Sequence, residues 1–425
     1  MARVIHTGDT HIGYRQYHSS ERKRDFLTAF ERVIEDAIDE EVDAVIHAGD
    51  LFHDTRPAIP DLMATVEVLR RLATADIPFL AVVGNHEATR DRQWLDLFAD
   101  LDLAVRLDDQ GIQIGNTTLY GLDYVPPSRR PELSYDFAPS TTEHAALVAH
   151  GLFEPFAHAD WDTERLVSES SVSFEALLLG DNHTWGQERL ADTLVTYCGS
   201  TERASASERE ARGYNLLNFE GGEVTVTRRR IDAARRWEFI DVSLHGEEGT
   251  EHVIEEGRAR ALEDAVVIVR ITGDGTDISP AVIEERLTEA GALLVRVFDE
   301  REISEDETPG VQFADPDRAV DERLQQLALS GAGELVDAVV RDETVVDANV
   351  RERVRSRMET LLDEAPDAFE RRPTHSNSDK EPPEDERPLE DREQDEPAEE
   401  HDPADHSSPD EATEDDGQAS IAEFG

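Results

Sequence analysis

The chain has 425 residues, with 96 Asp and Glu against 42 Lys and Arg, and its formal net charge at pH 7 is −54. This length predicts two or three domains, and the single cysteine, Cys198, excludes a small module held together by disulfides. No apolar run reaches the ~20 residues of a membrane-spanning helix, and Met1–Thr7 is predicted to be a strand rather than a leader peptide, so we expect a soluble, cytoplasmic protein.

The acidic charge is spread over the whole chain. The segment from Pro373 to Gly425 contributes −17, which leaves −37 on the first 372 residues, and all but two of the 42 basic residues are arginine. Self-repulsion of this size weakens a compact fold in dilute salt, whereas at 1 M salt the Debye length falls to ~3 Å and the repulsion is largely screened. The composition therefore favours a protein from a salt-filled cytoplasm, as in a halophile. The alternative is an ordinary acidic protein with a disordered tail.

The first 230 residues alternate short apolar runs with helix-like stretches. Five runs predict strands: Arg3–His6, Ala44–His47, Phe79–Val83, Ala145–Ala149 and Ala176–Leu179. Arg22–Ile38 and Pro60–Thr74 have apolar residues at helical spacing. A β-rich part follows, with strands near Leu194–Cys198, Tyr214–Phe219 and Glu223–Arg229. This alternation predicts an α/β domain over residues 1–230, with polar residues collected beyond the strand ends.

A second, smaller pattern begins near Trp237. It predicts strands and helices in alternation, at Trp237–Leu244, Glu251–Leu262, Val266–Ile271, Pro280–Ala290 and Leu293–Phe298. We therefore expect a small α+β domain over residues 231–303, a linker at 304–317 and a helical segment at 318–366. In that segment an apolar residue recurs at every fourth position, at Val346, Val350, Val354 and Met358. Such a stripe packs either within its own domain or against the helix of a partner.

Residues 367–425 are predicted to be a disordered acidic tail. From Pro373 onward, seven prolines and the charge excess leave too little apolar surface to support a core. Near the end of the tail, Gln418, Ile421 and Phe424 resemble the peptide by which replication and repair proteins bind the sliding clamp. The alternative is a chance pattern in a disordered segment.

Five polar clusters follow the predicted strands. Each places a carboxylate, an amide oxygen or an imidazole directly after an apolar run: Asp9-Thr-His11, Gly49-Asp50-Leu-Phe-His53, Gly84-Asn85-His86-Glu87, His150-Gly151 and Gly180-Asp181-Asn182-His183. Oxygen and nitrogen ligands without a thiolate suit a pair of Mn²⁺, Fe²⁺ or Zn²⁺ ions. Two ions ~3.5–4 Å apart can activate a water and bind a phosphate. A bridging carboxylate is needed to hold them that close, and Asp50 is the candidate.

In this order the clusters resemble those of the calcineurin-like metallophosphoesterases. The stretches HTGDTHIGYRQYHSSERKRDF, HAGDLFHDTRP, VVGNHE and YCGSTERAS resemble one branch, the double-strand-break repair nucleases of the SbcD or meiotic-recombination-eleven type. The resemblance extends from about Ala2 to Arg229. It implies a four-layer β-sandwich flanked by helices, followed by a capping domain that contacts DNA and a helical docking segment.

The resemblance also implies roles for the site residues. Two Mn²⁺ ions would share Asp50, the first with Asp9, His11 and His183 and the second with Asn85, His150 and Asp181. His86 would act beside the phosphate as a general acid or transition-state donor. His53 would contact or help to rotate the scissile phosphodiester.

The implied function is an Mn²⁺-dependent nuclease that processes DNA ends, as a 3′→5′ exonuclease on duplexes and an endonuclease on single strands. The implied partners are DNA, an SbcC-type ABC ATPase with a long coiled coil in a heterotetramer, and a second copy of the chain. The apolar stripe is then a candidate for gripping the coiled coil. Tyr14 and Arg15 are candidates for touching the DNA backbone.

One departure from the family pattern keeps alternatives open. The family has Gly-His-x-His where this chain has Gly180-Asp181-Asn182-His183. Aspartate is a harder, anionic ligand and favours Mn²⁺, but the substitution is also compatible with a crippled second metal site. The alternatives are therefore a scaffold that tethers DNA ends with weak or vestigial chemistry, and a phosphodiesterase for a small substrate.

Overall fold

The structure is a computed structural model that describes residues 1–89, 92–231, 235–301, 350–364 and 366–369, and in between 330, 332–333, 335–336 and 339. Several features predicted above lie outside the described residues: the linker at 304–317, most of the helical segment before Val350 including Val346 of the apolar stripe, and the acidic tail from residue 370 onward with its terminal peptide of Gln418, Ile421 and Phe424. The domain boundaries predicted above stay predictions.

A first six-stranded sheet has the order β12-β11-β1-β2-β3-β4. Its strands are β1 Ala2–Thr7, β2 Ala44–His47, β3 Phe79–Ala81, β4 Val105–Arg106, β11 Gly213–Glu220 and β12 Glu223–Arg230. The first four run parallel, so their carboxyl ends lie at one edge. The late strand β11 pairs antiparallel with β1, with Leu216 opposite Ile5.

A second six-stranded sheet has the order β5-β6-β7-β8-β10-β9. Its strands are β5 Ile112–Ile114, β6 Thr117–Leu122, β7 His144–His150, β8 Ala176–Gly180, β9 Gly186–Leu190 and β10 Thr193–Tyr197. The four inner strands are parallel, and β5 and β9 close the sheet antiparallel at its two sides.

Helices cover the outer faces of the two sheets. They are α1 Ser20–Asp39, α2 Ile59–Thr74, α3 Trp94–Asp100 and α4 Thr163–Glu169. Helix α1 begins after Ser19, whose hydroxyl accepts the N–H groups of Glu21 and Arg22 as an N-cap does. The sequence therefore signals where this helix begins.

Side-chain alternation along the inner strands builds two separate cores. In β1, Val4 packs between the two sheets, while the next residue, Ile5, packs against the helices. Because both faces of the parallel strands are buried, these strands appear in the sequence as continuous apolar runs. A third core, with Phe153 and Leu166, covers the outer face of the second sheet. The predicted α/β fold with two sheets between helical layers is thus confirmed.

A smaller parallel sheet, which we call the cap sheet, follows. Its strands are β13 Trp237–Leu244, β14 Val266–Gly273 and β15 Leu294–Asp299. Helices α5 Thr250–Arg258 and α6 Pro280–Glu289 pack on one face of this cap sheet. The other face, with Trp237 and Ile268, contacts Tyr17 and Ala206 of the preceding part of the chain. The cap sheet thus packs against two loops that lie close to the site described next.

The last described helix is α7, Val350–Glu364, followed by a short turn at Pro366–Phe369. Three members of the predicted stripe, Val350, Val354 and Met358, lie on this helix and are half-buried. None of the helices within the described ranges combines the length and the apolarity needed to cross a membrane.

Candidate metal centre

The five polar clusters come together where the parallel strands of the two sheets end. Asp9 and His11 follow β1, Asp50 follows β2, and Asn85 and His86 follow β3. From the second sheet, His150 is the last residue of β7, and Asp181 and His183 follow β8. The seven predicted ligands are all buried: Asp9, His11, Asp50, Asn85, His150, Asp181 and His183.

Four of these residues hold a backbone conformation that side chains disfavour. The φ angles are 47° at Asp9, 44° at His11, 56° at Asp50 and 89° at Asp181. A residue other than glycine in the left-handed region costs on the order of 1–3 kcal/mol and persists only where the surroundings enforce it. The strand-end loops therefore store strain at the place where the polar side chains converge.

Two glycines allow the loops to approach this closely. A Cβ at Gly84 would lie 2.1 Å from Oδ1 of Asp50, and a Cβ at Gly49 would lie 2.4 Å from Nδ1 of His150. Both glycines stand directly before a site residue in the sequence. Their small size is a requirement of the site and not of the sheets.

Asp50 stands between two groups of potential ligands. Its Oδ2 atom lies 3.8 Å from Nε2 of His11 and 3.5 Å from Nε2 of His150. On one side, Asp9, His11 and His183 have ligand atoms within 4.8 Å of one another, and Nε2 of His11 is 3.0 Å from Nε2 of His183. On the other side, Asp9, Asp50 and His150 form a second such group.

The remaining two predicted ligands lie beside His150. Its Nε2 atom is 2.9 Å from Oδ1 of Asn85 and 4.0 Å from Oδ1 of Asp181. The backbone N–H of Asp181 donates to the Asp9 carboxylate at 2.9 Å, which links this loop to the first group. The structure therefore brings together all seven side chains that the sequence nominated.

Hydrogen bonds fix the orientation of the two ligand histidines on the second sheet. Nδ1 of His150 donates to the carbonyl of Ala48 at 2.7 Å, and Nδ1 of His183 faces Oε1 of Glu208 at 2.9 Å. Because the Nδ1 atoms are engaged in this way, Nε2 of each ring carries the lone pair that faces the cluster. This is the usual arrangement around a metal-binding histidine.

The electrostatics of the cluster fit a bound cation. Burial raises the pKa of Asp9 well above its usual range and raises that of Asp181 to about 7. Burial lowers the pKa of His11 well below its ordinary value and lowers that of His150 to about 3. The imidazoles are therefore neutral lone-pair donors at pH 7, and the carboxylates need positive charge nearby to stay ionised. Divalent ions with a preference for oxygen and nitrogen ligands meet both conditions.

His86 and His53 lie at the open side of the cluster and are only half-buried. Nδ1 of His86 donates to the backbone carbonyl of His53 at 2.9 Å, so its Nε2 is directed away from that bond. The rings of His86 and His11 are 4.9 Å apart. The ring of Tyr14 lies against that of His53, with centroids 4.0 Å apart, and the rings of His53 and His86 are 5.0 Å apart.

Two acidic residues that support the site were missed by the sequence reasoning. Glu87 accepts the N–H groups of Phe52 and Gly84 at 3.2 and 3.3 Å and joins two ligand loops. Its position next to His86 was a usable signal. Glu208 lies 25 residues beyond His183, and no spacing rule connects the two.

Several arginines near the site pair with other groups of the protein. Arg212 donates to the carbonyl of His183 at 2.7 Å, Arg209 pairs with Asp241, and Arg130 pairs with Asp160 at 2.8 Å. Arg15 is exposed and donates to the carbonyl of His18. Arg212, Arg209 and Arg130 are therefore part of the framework around the site.

A cavity of about 770 Å³ adjoins the cluster on the side of Asn85, Asp181 and His183. We call it the side cavity. Its outer walls include Tyr124, Phe156 and Trp185 from the second sheet and its loops, and Arg353 and Arg357 from α7: these five residues define it below.

Comparisons with known proteins agree with this geometry. Residues 2–195 match the family model of the calcineurin-like phosphoesterases. The chain is 56% identical over 371 residues to the DNA double-strand break repair protein Mre11 of Haloferax volcanii, covering 87% of this chain and 84% of that protein. It is 54% identical over 374 residues to the protein of the same name from Halobacterium salinarum, covering 87% and 96%. The Methanosarcina acetivorans protein of that name is 41% identical and is covered to 61% of its length.

Proposed function

Since the chain belongs to the Mre11 family of DNA double-strand break repair proteins, within the calcineurin-like phosphoesterases, we propose that it is a nuclease that processes DNA ends with two Mn²⁺ ions. The proposal includes 3′→5′ exonuclease activity on duplex DNA and endonuclease activity on single strands. Membership of this family supports a metal-dependent DNA repair nuclease.

The position of Asp50 is the observation that carries the proposal. A bridging carboxylate has to reach both ligand groups. One carboxylate oxygen of Asp50 lies within 4 Å of a histidine in each group and so meets this requirement. We assign Asp9, His11 and His183 to the first ion and Asn85, His150 and Asp181 to the second, with Asp50 shared. Two such ions would supply an activated water and neutralise charge on the scissile phosphate.

The chain's own residues would complete the chemistry. With Nδ1–H donated to the His53 carbonyl, the other nitrogen of His86 can hold a proton for the departing DNA oxygen. The half-buried rings of His53 and Tyr14 form a wall beside it, where they can orient the phosphodiester. The buried hydrogen bonds that His150 and His183 donate to the Ala48 carbonyl and the Glu208 carboxylate would keep the ligand rings aligned.

Asp181 bears on the scaffold alternative, in which the second metal site is lost. Its side chain is buried, its Oδ1 lies 4.0 Å from Nε2 of His150, and both face the same cluster as Asn85. A carboxylate in that place is a suitable ligand for Mn²⁺. This favours a working second site, and no observation specifically favours a scaffold or a small-substrate enzyme.

We further propose that the protein works as a dimer and with a coiled-coil ABC ATPase in the cytoplasm. Two exposed apolar pairs support a contact between copies: Ile59 and Met63 on α2, and Leu97 on α3 with Leu101 directly after that helix. Ile59 and Met63 are four residues apart and so lie on one helix face. Val354 and Met358 on α7 remain candidates for gripping the coiled coil. Sliding-clamp binding through Gln418, Ile421 and Phe424 remains a proposal from the sequence alone.

Degradation of end-labelled DNA tests the nuclease proposal. In about 1 M KCl, where the charge of this protein is screened, wild type should shorten duplex DNA from the 3′ end with Mn²⁺, and His86→Ser should lose this activity while still binding DNA. The matched control is His245→Ser, an exposed histidine directly after β13 that lies outside the metal centre and the side cavity. DNA binding by wild type without cleavage under any divalent ion would exclude the nuclease and leave the tethering scaffold.

A further inference from the structure

The side cavity has an exposed tryptophan next to the metal centre. Trp185 follows the ligand His183 by two residues, and 41% of its surface is exposed. A large apolar ring left open to water beside a cavity indicates a surface that a ligand covers. The cavity volume of about 770 Å³ lies in the range of pockets that enclose a small organic group.

The framework behind Trp185 is packed firmly. A Cβ at the next residue, Gly186, would lie 2.5 Å from the ring of Phe156. The Phe156 ring also contacts Tyr197 edge-on, with centroids 4.9 Å apart. The backbone that carries Trp185 therefore has little freedom, and the aromatic wall is set before any ligand arrives.

Helix α7 adds positive charge to the same cavity. Arg353 and Arg357, one turn apart, line it together with Ser356 and Thr360. With 100° between successive residues, these four positions lie on one side of the helix, centred about a third of a turn from Val354 and Met358. Val354 and Met358 thus lie on a different side of α7 from the one that lines the cavity.

We propose that the side cavity binds an unpaired DNA nucleotide, with its base stacked on Trp185 and a backbone phosphate between Arg353 and Arg357. This inference rests on the proposed function in taking DNA as the substrate. A base inside a duplex has both faces covered by its neighbours, so only an unpaired or extruded base can lie on the indole. Stacking is also the interaction that persists at molar salt, where the gain from releasing counterions is small. The cavity would therefore favour single strands and frayed ends.

The test is binding of the full-length protein to a labelled oligothymidylate of about ten nucleotides, measured by fluorescence anisotropy in about 1 M KCl with a chelator. Without divalent ions no cleavage can occur, so the result does not depend on nuclease activity. Trp185→Ala should weaken binding about 10-fold, whereas Trp185→Phe, which keeps a stacking face, should stay within about 3-fold of wild type. Arg353→Ala and Arg357→Ala should each weaken binding, and Arg355→Ala on the same helix should not.

Duplex DNA of equal length separates the outcomes. Unchanged binding of the single strand by Trp185→Ala would overturn the proposal, and so would an equal loss of duplex and single-strand binding. If the variants behave as expected but the wild type fails to cleave with Mn²⁺, the nucleotide site stands and the nuclease proposal fails. Thermal unfolding of each variant checks that a loss of DNA binding does not come from a loss of folding. If Trp185→Ala is unstable, Trp185→Phe keeps the test valid.

Discussion

Nδ1 of His183 lies 2.9 Å from Oε1 of Glu208, and both side chains are buried. The second carboxylate oxygen of Glu208 accepts the N–H of Ala204 at 3.0 Å and lies 3.4 Å from Arg212. The nearby Arg209 pairs with Asp241 of the cap sheet. The orientation of His183, a proposed metal ligand, is therefore tied to a loop that the cap sheet contacts.

Glu208→Ala is expected to lower the affinity for Mn²⁺ about 10- to 100-fold, because partners of metal-binding histidines usually contribute that much. Glu208→Gln should lose less, since its amide oxygen can still accept from Nδ1. Titration calorimetry with Mn²⁺ measures both. Wild-type affinity in Glu208→Ala would show that His183 is oriented without this contact.

Asp181→Ala is expected to weaken the second Mn²⁺ by about 10-fold or more, since this buried carboxylate faces His150 and Asn85. Asp181→His should bind two ions but shift the preference toward Zn²⁺, because imidazole is the softer ligand. Metal content after equilibrium dialysis measures both variants. Asp160→Ala is the control, since Asp160 lines the same cavity but pairs with Arg130. Two ions bound at wild-type affinity in Asp181→Ala would exclude Asp181 as a ligand.

The buried histidines should make the fold sensitive to acid. Burial lowers the pKa of His47 to about 3, well under its ordinary value. Between that pKa and about 6.5 the unfolded chain binds a proton that the folded chain excludes, so stability falls as the pH falls through this window. His47→Gln should reduce the slope of unfolding free energy against pH by up to ~1.4 kcal/mol per pH unit. Denaturant titrations with a chelator, from pH 7 to pH 4, measure this, and parallel curves for the two proteins would contradict it.

Met63→Glu is expected to convert the dimer to a monomer, because it places a charge on the exposed apolar pair of α2. Light scattering after size exclusion in about 1 M KCl measures the mass. Val282→Glu is the control, as Val282 is an exposed apolar residue on α6, outside the proposed contact. A monomeric wild type, or a dimer that survives Met63→Glu, would argue against this surface.

Strands that are buried on both faces were the most predictable part of the fold. Ala44–His47 was predicted with its observed bounds, and Ala176–Leu179 is one residue shorter than β8. These strands are buried on both faces, so their sequence is a continuous apolar run. The short strand β4 and the seven-residue helix α4 were not predicted, because so few residues show no measurable periodicity. The predicted helix Glu251–Leu262 ends four residues later than α5, which stops at Arg258.

The candidate site was predictable where strand-end motifs supply it, and not where distant segments meet. Each nominated ligand follows a strand, and parallel strands bring their carboxyl ends to one edge. By contrast, the pairing of Ile5 with Leu216, the contact of Glu208 with His183 and the approach of Arg353 to the side cavity depend on tertiary packing. The halophile prediction agrees with relatives from Haloferax volcanii and Halobacterium salinarum, since charge composition needs no tertiary information.

Asp50 is proposed to bridge two divalent ions. A crystal of the full-length protein grown with Mn²⁺, measured by anomalous diffraction at the manganese edge, tests this most directly. Bridging by Asp50 predicts two peaks ~3.5–4 Å apart, on either side of its carboxylate, one beside His11 and His183 and the other beside His150 and Asp181. A single peak, or two peaks that do not share Asp50, would contradict it.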